Sequence, residues 1–367
     1  MSTVNPMNEY LLSKLSAISD PELGADLVTL GMIKDAREDE NEVCVELYLT
    51  ISGCPMRQHI LESLRSAFPD KKVTVTWLEM DQEQRSTAML RARQWAQAHA
   101  EGTNVAQRTQ VLALSSGKGG VGKSTVSVDL ASALSRRGWK VGLLDADIWG
   151  FSVPHLLGST DKLKAHAGPD GRALIEPAVV EVGGGSMQVV STGMIVQDES
   201  VALMWRGPML AKALEQMLRD VAWDADLDYL IIDLPPGTGD VQMALSRLLP
   251  RAHLYVVTNP SGLSVSVAQR IGDMAQRSSM HVKGIVENMS YVPAGQGVKL
   301  TPFGVGGGEE LSRRLAVPLV GVVPLAEEPD RRAAVESMVD VIEKTSPALG
   351  TIGCNADISR ALRKLML

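Results

Sequence analysis

The chain contains 367 residues, 45% of them apolar, and carries 36 basic against 43 acidic side chains, a formal net charge of −7. This length predicts roughly two to three domains with a large buried core, and the charged share of 22% argues against global disorder. The acidic balance argues against general nucleic-acid binding, and three cysteines are too few for a disulfide framework.

Targeting segments are not expected from the sequence. The first fifteen residues hold no apolar run behind a basic stretch, which argues against a secretory signal. No run of about eighteen apolar residues occurs, so no transmembrane helix is predicted. We therefore expect a soluble cytoplasmic protein.

Residues 1–82 predict a small α+β domain. Asp20-Pro21-Glu22 is typical of a helix start, with Asp as the cap and Pro in the first turn. A polar turn at residues 37–41 separates two predicted strands and predicts a β-hairpin. The predicted elements of this unit are helices at 7–18 and 56–67 and strands at 32–36, 42–49 and 72–78.

Residues 83–108 are predicted to be a helical connector. The stretch 83–100 is rich in Gln, Arg and Ala and lacks an apolar stripe over its full length. A helix packed on either neighbouring domain is an equally good interpretation of the same residues.

Residues 109–367 alternate apolar strands, glycine turns and helices. The predicted strands are 111–114, 141–144, 229–232, 254–257, 284–286 and 320–323, and the predicted helices are 124–136, 210–219, 241–249, 264–276 and 309–315. This order is typical of an α/β fold, here a P-loop NTPase with a mostly parallel sheet covered by helices. Ligands of such sheets bind at the carboxyl ends of the strands.

The strongest functional signal lies at residues 116–125, Ser-Gly-Lys-Gly-Gly-Val-Gly-Lys-Ser-Thr, which has the spacing of a phosphate loop. Glycines let the backbone wrap a phosphate, and the N-terminus of the following helix favours the anion. Lys123 is predicted to reach the β and γ phosphates, and the Ser124 hydroxyl to ligate magnesium. The predicted nucleotide-binding residues of the loop are Gly117, Lys118, Gly119, Gly120, Val121, Gly122, Lys123, Ser124 and Thr125.

Lys118 is a second lysine inside this loop, where it has no packing purpose. One interpretation is a solvated loop lysine. The functional interpretation is a cation that acts on a transferring phosphate in the way that arginine fingers do. That phosphate can also belong to a nucleotide bound by a facing subunit.

Acidic residues end two of the apolar strands. Asp145 and Asp147 follow the strand at 141–144, and Asp147 is our candidate for orienting the attacking water and for magnesium. Asp233 ends the strand at 229–232 and fits the Walker-B role of a direct or water-mediated magnesium ligand.

Three further residues are candidate nucleotide contacts. Gly237, in a stiff Pro-Pro-Gly turn, has an N–H that could sense the γ phosphate. Asn259 and Asn288 follow apolar strands and could hydrogen-bond a base edge, although turn formation explains Asn259 equally well.

Taken together, GKGGVGKST, DADIWG, MWRGPM, IIDLPPGTGD and IVENMSY resemble the Mrp/ApbC group of P-loop ATPases, which belong with MinD, ParA and the nitrogenase iron protein. The N-terminal unit, with TISGCPM, is similar to the small domain of iron-sulfur assembly proteins. The resemblance implies ATP and Mg²⁺ as ligands and a homodimer that passes an iron-sulfur cluster, a [4Fe-4S] cluster bridging the dimer, to apoproteins.

The resemblance also implies roles for single residues. Lys118 matches the signature lysine acting across the dimer, Asp147 the switch carboxylate and Asp233 the Walker-B acid. Ser124 matches the magnesium ligand, and Asn288 an adenine contact.

The sequence departs from the family pattern in its cysteines. Family members commonly carry a Cys-x-x-Cys pair after the NMSY segment, and here residues 288–299 contain no cysteine. Cys54, within TISGCPM, is the candidate cluster ligand, and two copies in a dimer would supply two thiolates. Cys44 and Cys354 are interpreted as packing thiols.

An alternative function is a MinD/ParA-like positioning or scaffold protein that binds no cluster. Residues 358–367 favour it, since their apolar and basic positions are compatible with a short membrane-surface helix. A terminal helix docked on the ATPase domain explains the same segment more simply. A metallochaperone for another metal is disfavoured, since no His/Cys cluster with ligand spacing occurs in the sequence.

Overall fold

The structure, a computed structural model, describes residues 9–21, 23–50, 56–99, 102–147, 150, 152–168, 171, 173–194, 207–237, 239–278, 280–327 and 329–349. The chain forms two compact units. One comprises Met1–Ala100 with Arg277–Ser279, and the other comprises Glu101–Gln276 with Met280–Leu367.

The first unit is a three-stranded sheet with helices. Its elements are α1 (Glu9–Ser16), β1 (Ile33–Glu38), β2 (Glu42–Leu49), α2 (Arg57–Ala67), β3 (Lys72–Glu79) and α3 (Gln82–Ala98). Strands β1 and β2 form the predicted antiparallel hairpin, and β3 pairs with β2 in parallel. The expected α+β composition of this unit is confirmed.

The segment after Asp20 forms turns instead of the predicted helix. The Asp20 carboxylate accepts a hydrogen bond from Leu23 N at 2.9 Å, and its carbonyl accepts one from Gly24 N at 2.8 Å. Ser19 and Asp26 then form an isolated β-bridge. The helix prediction was wrong because an Asx turn uses the same Asp-Pro signal as a helix start.

Helix α3 packs on the core of the first unit, which is one of the interpretations left open above. Asp81 and Gln84 form a capping box at its start. Ala88 and Ala92 are fully buried in the same apolar cluster as Leu47 of β2. Because these core-facing residues of α3 are small alanines, the sequence shows no stripe of large apolar side chains along the helix.

The second unit contains the large sheet. Its strands are β4 (Gln110–Ser116), β5 (Val141–Asp145), β6 (Lys164–Ala167), β7 (Ala173–Glu176), β8 (Ala178–Glu181), β9 (Ser186–Ser191), β10 (Tyr229–Asp233), β11 (His253–Thr258), β12 (His281–Glu287), β13 (Val292–Pro293), β14 (Lys299–Leu300) and β15 (Leu319–Val322). Its helices are α4 (Lys123–Arg136), α5 (Val153–Leu157), α6 (Gly207–Asp220), α7 (Gly239–Leu248), α8 (Gly262–Arg277), α9 (Gly307–Leu315) and α10 (Asp330–Thr345).

Eight of these strands form one sheet in the order β15-β12-β11-β4-β10-β5-β9-β8. Neighbouring strands are parallel, except that β8 runs antiparallel to β9. Helices α6 to α9 contribute to the apolar cluster on one face, and α4, α5 and α10 to the cluster on the other. The prediction of a mostly parallel sheet covered by helices is confirmed.

Several elements of this unit were not predicted. Strands β6 to β9, helix α5 and helix α10 lie between or after the predicted ones. Strands β6 to β8 are short and largely exposed, so their sequence lacks the apolar run of a buried strand. Strand β9 extends the parallel sheet beside β5, with Asp145 opposite Ser191 in the register.

Candidate functional site

The phosphate loop joins β4 to α4 at the carboxyl edge of the sheet. Gly120 and Gly122 have positive φ angles of 79° and 75°, which L side chains rarely adopt. A Cβ on Gly117 would lie 2.5 Å from the backbone nitrogen of Ala268 on α8. The glycines are therefore required both by the loop conformation and by the close approach of a helix.

Lys123, the first residue of α4, lies among buried acidic side chains. Its Nζ is 2.7 Å from Asp233 Oδ1 and 3.8 Å from Asp147 Oδ2, and its side chain is 6% exposed. Ser124 donates from Oγ to Asp233 Oδ2 at 2.6 Å. The structure thus brings together four of the predicted residues, and the Lys123 ammonium supplies the cation between two carboxylates.

Ser127, one turn along α4, also contacts Asp233 and was missed by the sequence analysis. Its fully buried Oγ lies 2.7 Å from Asp233 Oδ1, to which it donates, and 3.1 Å from the Lys123 carbonyl. Its only sequence signal is a serine four residues after Lys123, on the same helix face.

Asp145 is the second fully buried acid at this edge of the sheet. Its Oδ2 accepts from Ser191 Oγ at 2.8 Å and its Oδ1 from the Asp147 backbone N–H at 3.1 Å. Burial, with the nearby charge of Asp233, raises the pKa of Asp145 to about 7. The bond to the Asp147 backbone fixes the direction in which the chain leaves β5.

Lys118 is half-buried within the loop. Its carbonyl accepts a hydrogen bond from Ser116 Oγ at 3.0 Å. Its ammonium forms no ion pair with any residue that the structure describes. A cation without an ion-pair partner in the described part of the chain fits the predicted role on a phosphate, which stays a prediction.

The Gly237 N–H was expected to be free to sense the γ phosphate, but it is hydrogen-bonded within the protein. Gly237 has a φ of 68°, and its N–H donates to the Ser116 carbonyl at 3.1 Å. A contact of this N–H with a phosphate therefore requires that bond to open. The turn was predicted correctly, but the backbone partner of the N–H lies in a distant segment of the sequence.

Asn288 and Asn259 both lie at strand ends, as expected, but their amides bond to the protein backbone. Asn288 Nδ2 donates to the Val121 carbonyl at 2.9 Å, so it holds the phosphate loop. A Cβ on Gly122 would lie 2.3 Å from that Nδ2. Asn259 Oδ1 accepts from Ser261 N at 3.2 Å, which is the turn-forming alternative. The base-contact roles stay predictions.

Two of the three cysteines, Cys54 and Cys354, lie outside the described residues. So do residues 204–206 of MWRGPM and the segment 358–367. Cys44 is described and is exposed, so its interpretation as a packing thiol was wrong. It lies on the face of β2 opposite to the buried Val43 and Val45, and that face is not covered by the core. Among the described residues, no cluster of three His, Cys, Asp or Glu could hold a metal ion.

A cavity of about 370 Å³ opens on the phosphate loop and is large enough for a small ligand. Its lining includes Lys118, Gly119, Gly120, Val121, Gly122, Lys123, Ser124, Thr125, Asp147 and Pro236. Ser124 and Asp147 line this cavity, and the fully buried Asp233 lies directly behind Ser124, whose Oγ donates to its Oδ2 at 2.6 Å. Together they form a hard oxygen donor set, which fits Mg²⁺. No helix among the described residues is long and apolar enough to cross a membrane.

Comparison with known proteins gives two family matches. Residues 107–352 match a family described as the NUBPL iron-transfer P-loop NTPases. Residues 8–77 match a family described as iron-sulfur cluster assembly proteins. The two matches fall in the two compact units described above.

Curated relatives cover most of the chain. A protein of Mycobacterium tuberculosis named iron-sulfur cluster carrier protein is 39% identical over 92% of this chain and 88% of its own length. A protein of the same name from Synechocystis is 41% identical over 86% of each chain. Among solved structures, a nucleotide-binding protein from Archaeoglobus fulgidus in complex with ADP is 31% identical, covers 66% of this chain and 91% of its own, and has a TM-score of 0.49.

Proposed function

The chain belongs to the family of NUBPL-type iron-transfer P-loop NTPases, and from that premise we propose that it is an ATP-hydrolysing homodimer that carries iron-sulfur clusters to apoproteins in the cytoplasm. The observation that carries the proposal is an intact nucleotide site in a chain that also matches an iron-sulfur assembly domain. Curated relatives named iron-sulfur cluster carrier protein, which match 92% and 86% of this chain, support the proposal.

The phosphates of ATP bind in the loop at residues 117–122, where the N-terminus of α4 favours anions. The Lys123 ammonium, now 2.7 Å from Asp233 Oδ1, turns to the β and γ phosphates. Ser124, Asp147 and Asp233 would hold Mg²⁺, which would supply positive charge next to the phosphates. Asp147 orients the attacking water, and Lys118 acts on the phosphate of the facing subunit.

Turnover is slow, as expected of a switch whose bound nucleotide controls dimer contacts. Gly237 N–H donates to Ser116 O at 3.1 Å, and Lys123 Nζ lies 2.7 Å from Asp233 Oδ1. Both groups must leave these partners before hydrolysis. The exchange of these two contacts would link nucleotide binding to the arrangement of the phosphate loop, as in a molecular switch.

The cluster is the cargo, and Cys54 is its proposed ligand in each subunit. Anaerobic reconstitution with iron and sulfide, followed by analysis of bound iron and of charge-transfer absorbance, tests this role. We expect Cys54→Ala to lose bound iron and the exposed-thiol control, Cys44→Ala, to retain it. A wild-type protein that hydrolyses ATP and binds no iron would reduce the function to an ATP-switched scaffold.

The positioning function remains the second candidate, but no observation on the described residues favours it. It depends on residues 358–367, which lie outside them. ATP-dependent co-sedimentation with anionic vesicles would support it, and no binding would remove it.

A further inference from the structure

Asp233 receives three side-chain donors although its carboxylate is fully buried. Ser124 Oγ donates to Oδ2 at 2.6 Å. Lys123 Nζ and Ser127 Oγ both donate to Oδ1, each at 2.7 Å. A buried carboxylate is stable only when such donors replace water, so all three support its charged form.

Two of these donors have a second task if the proposed function is correct, and the inference rests on that function. The Lys123 ammonium turns to the phosphates, whereas a lone pair of the Ser124 oxygen would ligate magnesium while its O–H still donates to Asp233 Oδ2. Each has access to the nucleotide cavity, since both residues line it. Asp233 Oδ1 therefore loses one of its two side-chain donors, Lys123, when the nucleotide binds.

Ser127 has no access to the nucleotide. It is fully buried one helical turn beyond Lys123, and it is absent from the cavity lining. Among the described residues, its hydroxyl contacts the Asp233 carboxylate and the Lys123 carbonyl. Its contact with Asp233 can thus persist through nucleotide binding.

We propose that Ser127 is a positioning residue, which holds Asp233 Oδ1 in place when the nucleotide is bound, so that Oδ2 is directed at magnesium. Without nucleotide, Lys123 and Ser127 share Oδ1, so the loss of Ser127 has a small effect. With nucleotide bound, Ser127 is the remaining side-chain donor to Oδ1. Its loss then leaves a buried carboxylate oxygen unpaired next to the metal.

The test compares Ser127→Ala with the wild-type full chain in a MgCl₂ titration of fluorescent ATP-analogue binding. Hydrogen bonds to charged groups contribute enough to change an equilibrium about tenfold or more. We therefore expect the Mg²⁺ concentration for half-maximal binding to rise about tenfold, while the melting temperature of the nucleotide-free protein stays close to that of the control variant.

The matched control is Ser135→Ala, on the same helix, whose buried Oγ donates to the Ser186 carbonyl at 2.8 Å. It should leave the Mg²⁺ requirement unchanged, and Ser127→Thr, which keeps the hydroxyl, should restore it. An unchanged requirement in Ser127→Ala overturns the inference, as does a melting temperature that falls further than in Ser135→Ala. A wild-type protein without Mg²⁺-dependent binding would instead refute the proposed function.

Discussion

The two ends of the parallel sheet each hold a buried polar cluster, and the two clusters differ in charge. At the carboxyl end, the Lys123 ammonium lies 2.7 Å from the Asp233 carboxylate, with Asp145 beside them on the next strand. At the amino end, His253 Nδ1 lies 2.6 Å from Ser346 Oγ, and the Tyr255 hydroxyl lies 2.7 Å from the same oxygen.

The amino-end cluster is neutral near physiological pH. Burial, with smaller contributions from the charges of Lys283 and His281, lowers the pKa of His253 to about 3. Its polar groups bond to one another, and no role in the nucleotide chemistry is assigned to them. Such a network stabilises the fold and specifies the packing of the chain after α10 against β11.

The carboxyl-end cluster keeps charges in the interior, where they are unfavourable unless paired. The Lys123 ammonium can leave the carboxylate for a phosphate, and the oxygens of Ser124 and Asp233 can bind a metal ion. A neutral network has no charged groups for such an exchange. In this sheet, the buried charges that lie beside the phosphate loop can serve the nucleotide, whereas the neutral network at the amino end serves stability.

The largest effect is expected for Lys123→Met. It should abolish ATP hydrolysis, and it should lower the free energy of unfolding by about 3–5 kcal/mol at neutral pH, because Asp145 and Asp233 would lose their shared cation. Phosphate release and urea denaturation measure the two effects. The exposed Lys344→Met serves as the control. Wild-type stability in the Lys123 variant would show that the ion pair does not balance these acids.

Lys118→Ala separates function from stability within the same loop. Because its ammonium pairs with no described residue, we expect unchanged urea denaturation. A cation acting across a dimer on the transferring phosphate contributes about 10³-fold in rate, so hydrolysis should fall by about that factor. Unaltered hydrolysis and ATP-dependent dimerisation would contradict the role in the facing subunit.

The pH dependence of stability should have opposite signs at the two ends of the sheet. The unfolded His253 binds a proton below about 6.5 and the folded one only near 3, so its contribution is present above pH 6.5 and is lost on acidification. The folded Asp145 binds a proton below about 7 and the unfolded one below 3.8, so its contribution is lost as the pH rises through 7.

Between pH 6.5 and 4.5 the effects of His253 and Asp145 on the free energy of unfolding nearly cancel in the wild-type protein. Variants that lack one of the two groups should reveal the effect of the other. Relative to wild type, the free energy of unfolding of His253→Asn should rise by about 1.4 kcal/mol for each pH unit of acidification. That of Asp145→Asn should fall by a similar amount. Urea denaturation across this range measures both slopes, and parallel curves for all three proteins would refute the assignment of opposite signs.

The sequence predicts the charged cluster better than the neutral cluster, because the residues of the charged cluster belong to local sequence patterns. The spacing from Gly117 to Ser124 is sufficient to identify a phosphate loop, and Asp233 directly follows an apolar strand. The loop-to-strand contacts were then predictable, since the carboxyl ends of parallel strands meet at one edge.

The supporting residues could not be predicted in this way. Ser127 and Asp233 are 106 positions apart, and Ser191 and Asp145 are 46 apart, so no local pattern joins them. Ser346 meets His253 only after the chain has passed through α10, which was not predicted. Cys44 could have been predicted, because its alternation with the buried Val43 and Val45 already directs it to the other face of β2.

The smallest effect is expected for Ser346→Ala at the neutral end. The variant leaves His253 Nδ1 and the Tyr255 hydroxyl without their shortest contact, so the free energy of unfolding should fall by about 1–3 kcal/mol. ATP hydrolysis and its Mg²⁺ requirement should stay at wild-type values, since this serine lies at the opposite end of the sheet. Ser127→Ala should show the reverse, an altered Mg²⁺ requirement with little loss of stability. If both serine variants changed the same quantity, charge would not be what separates the functional end of the sheet from the structural one.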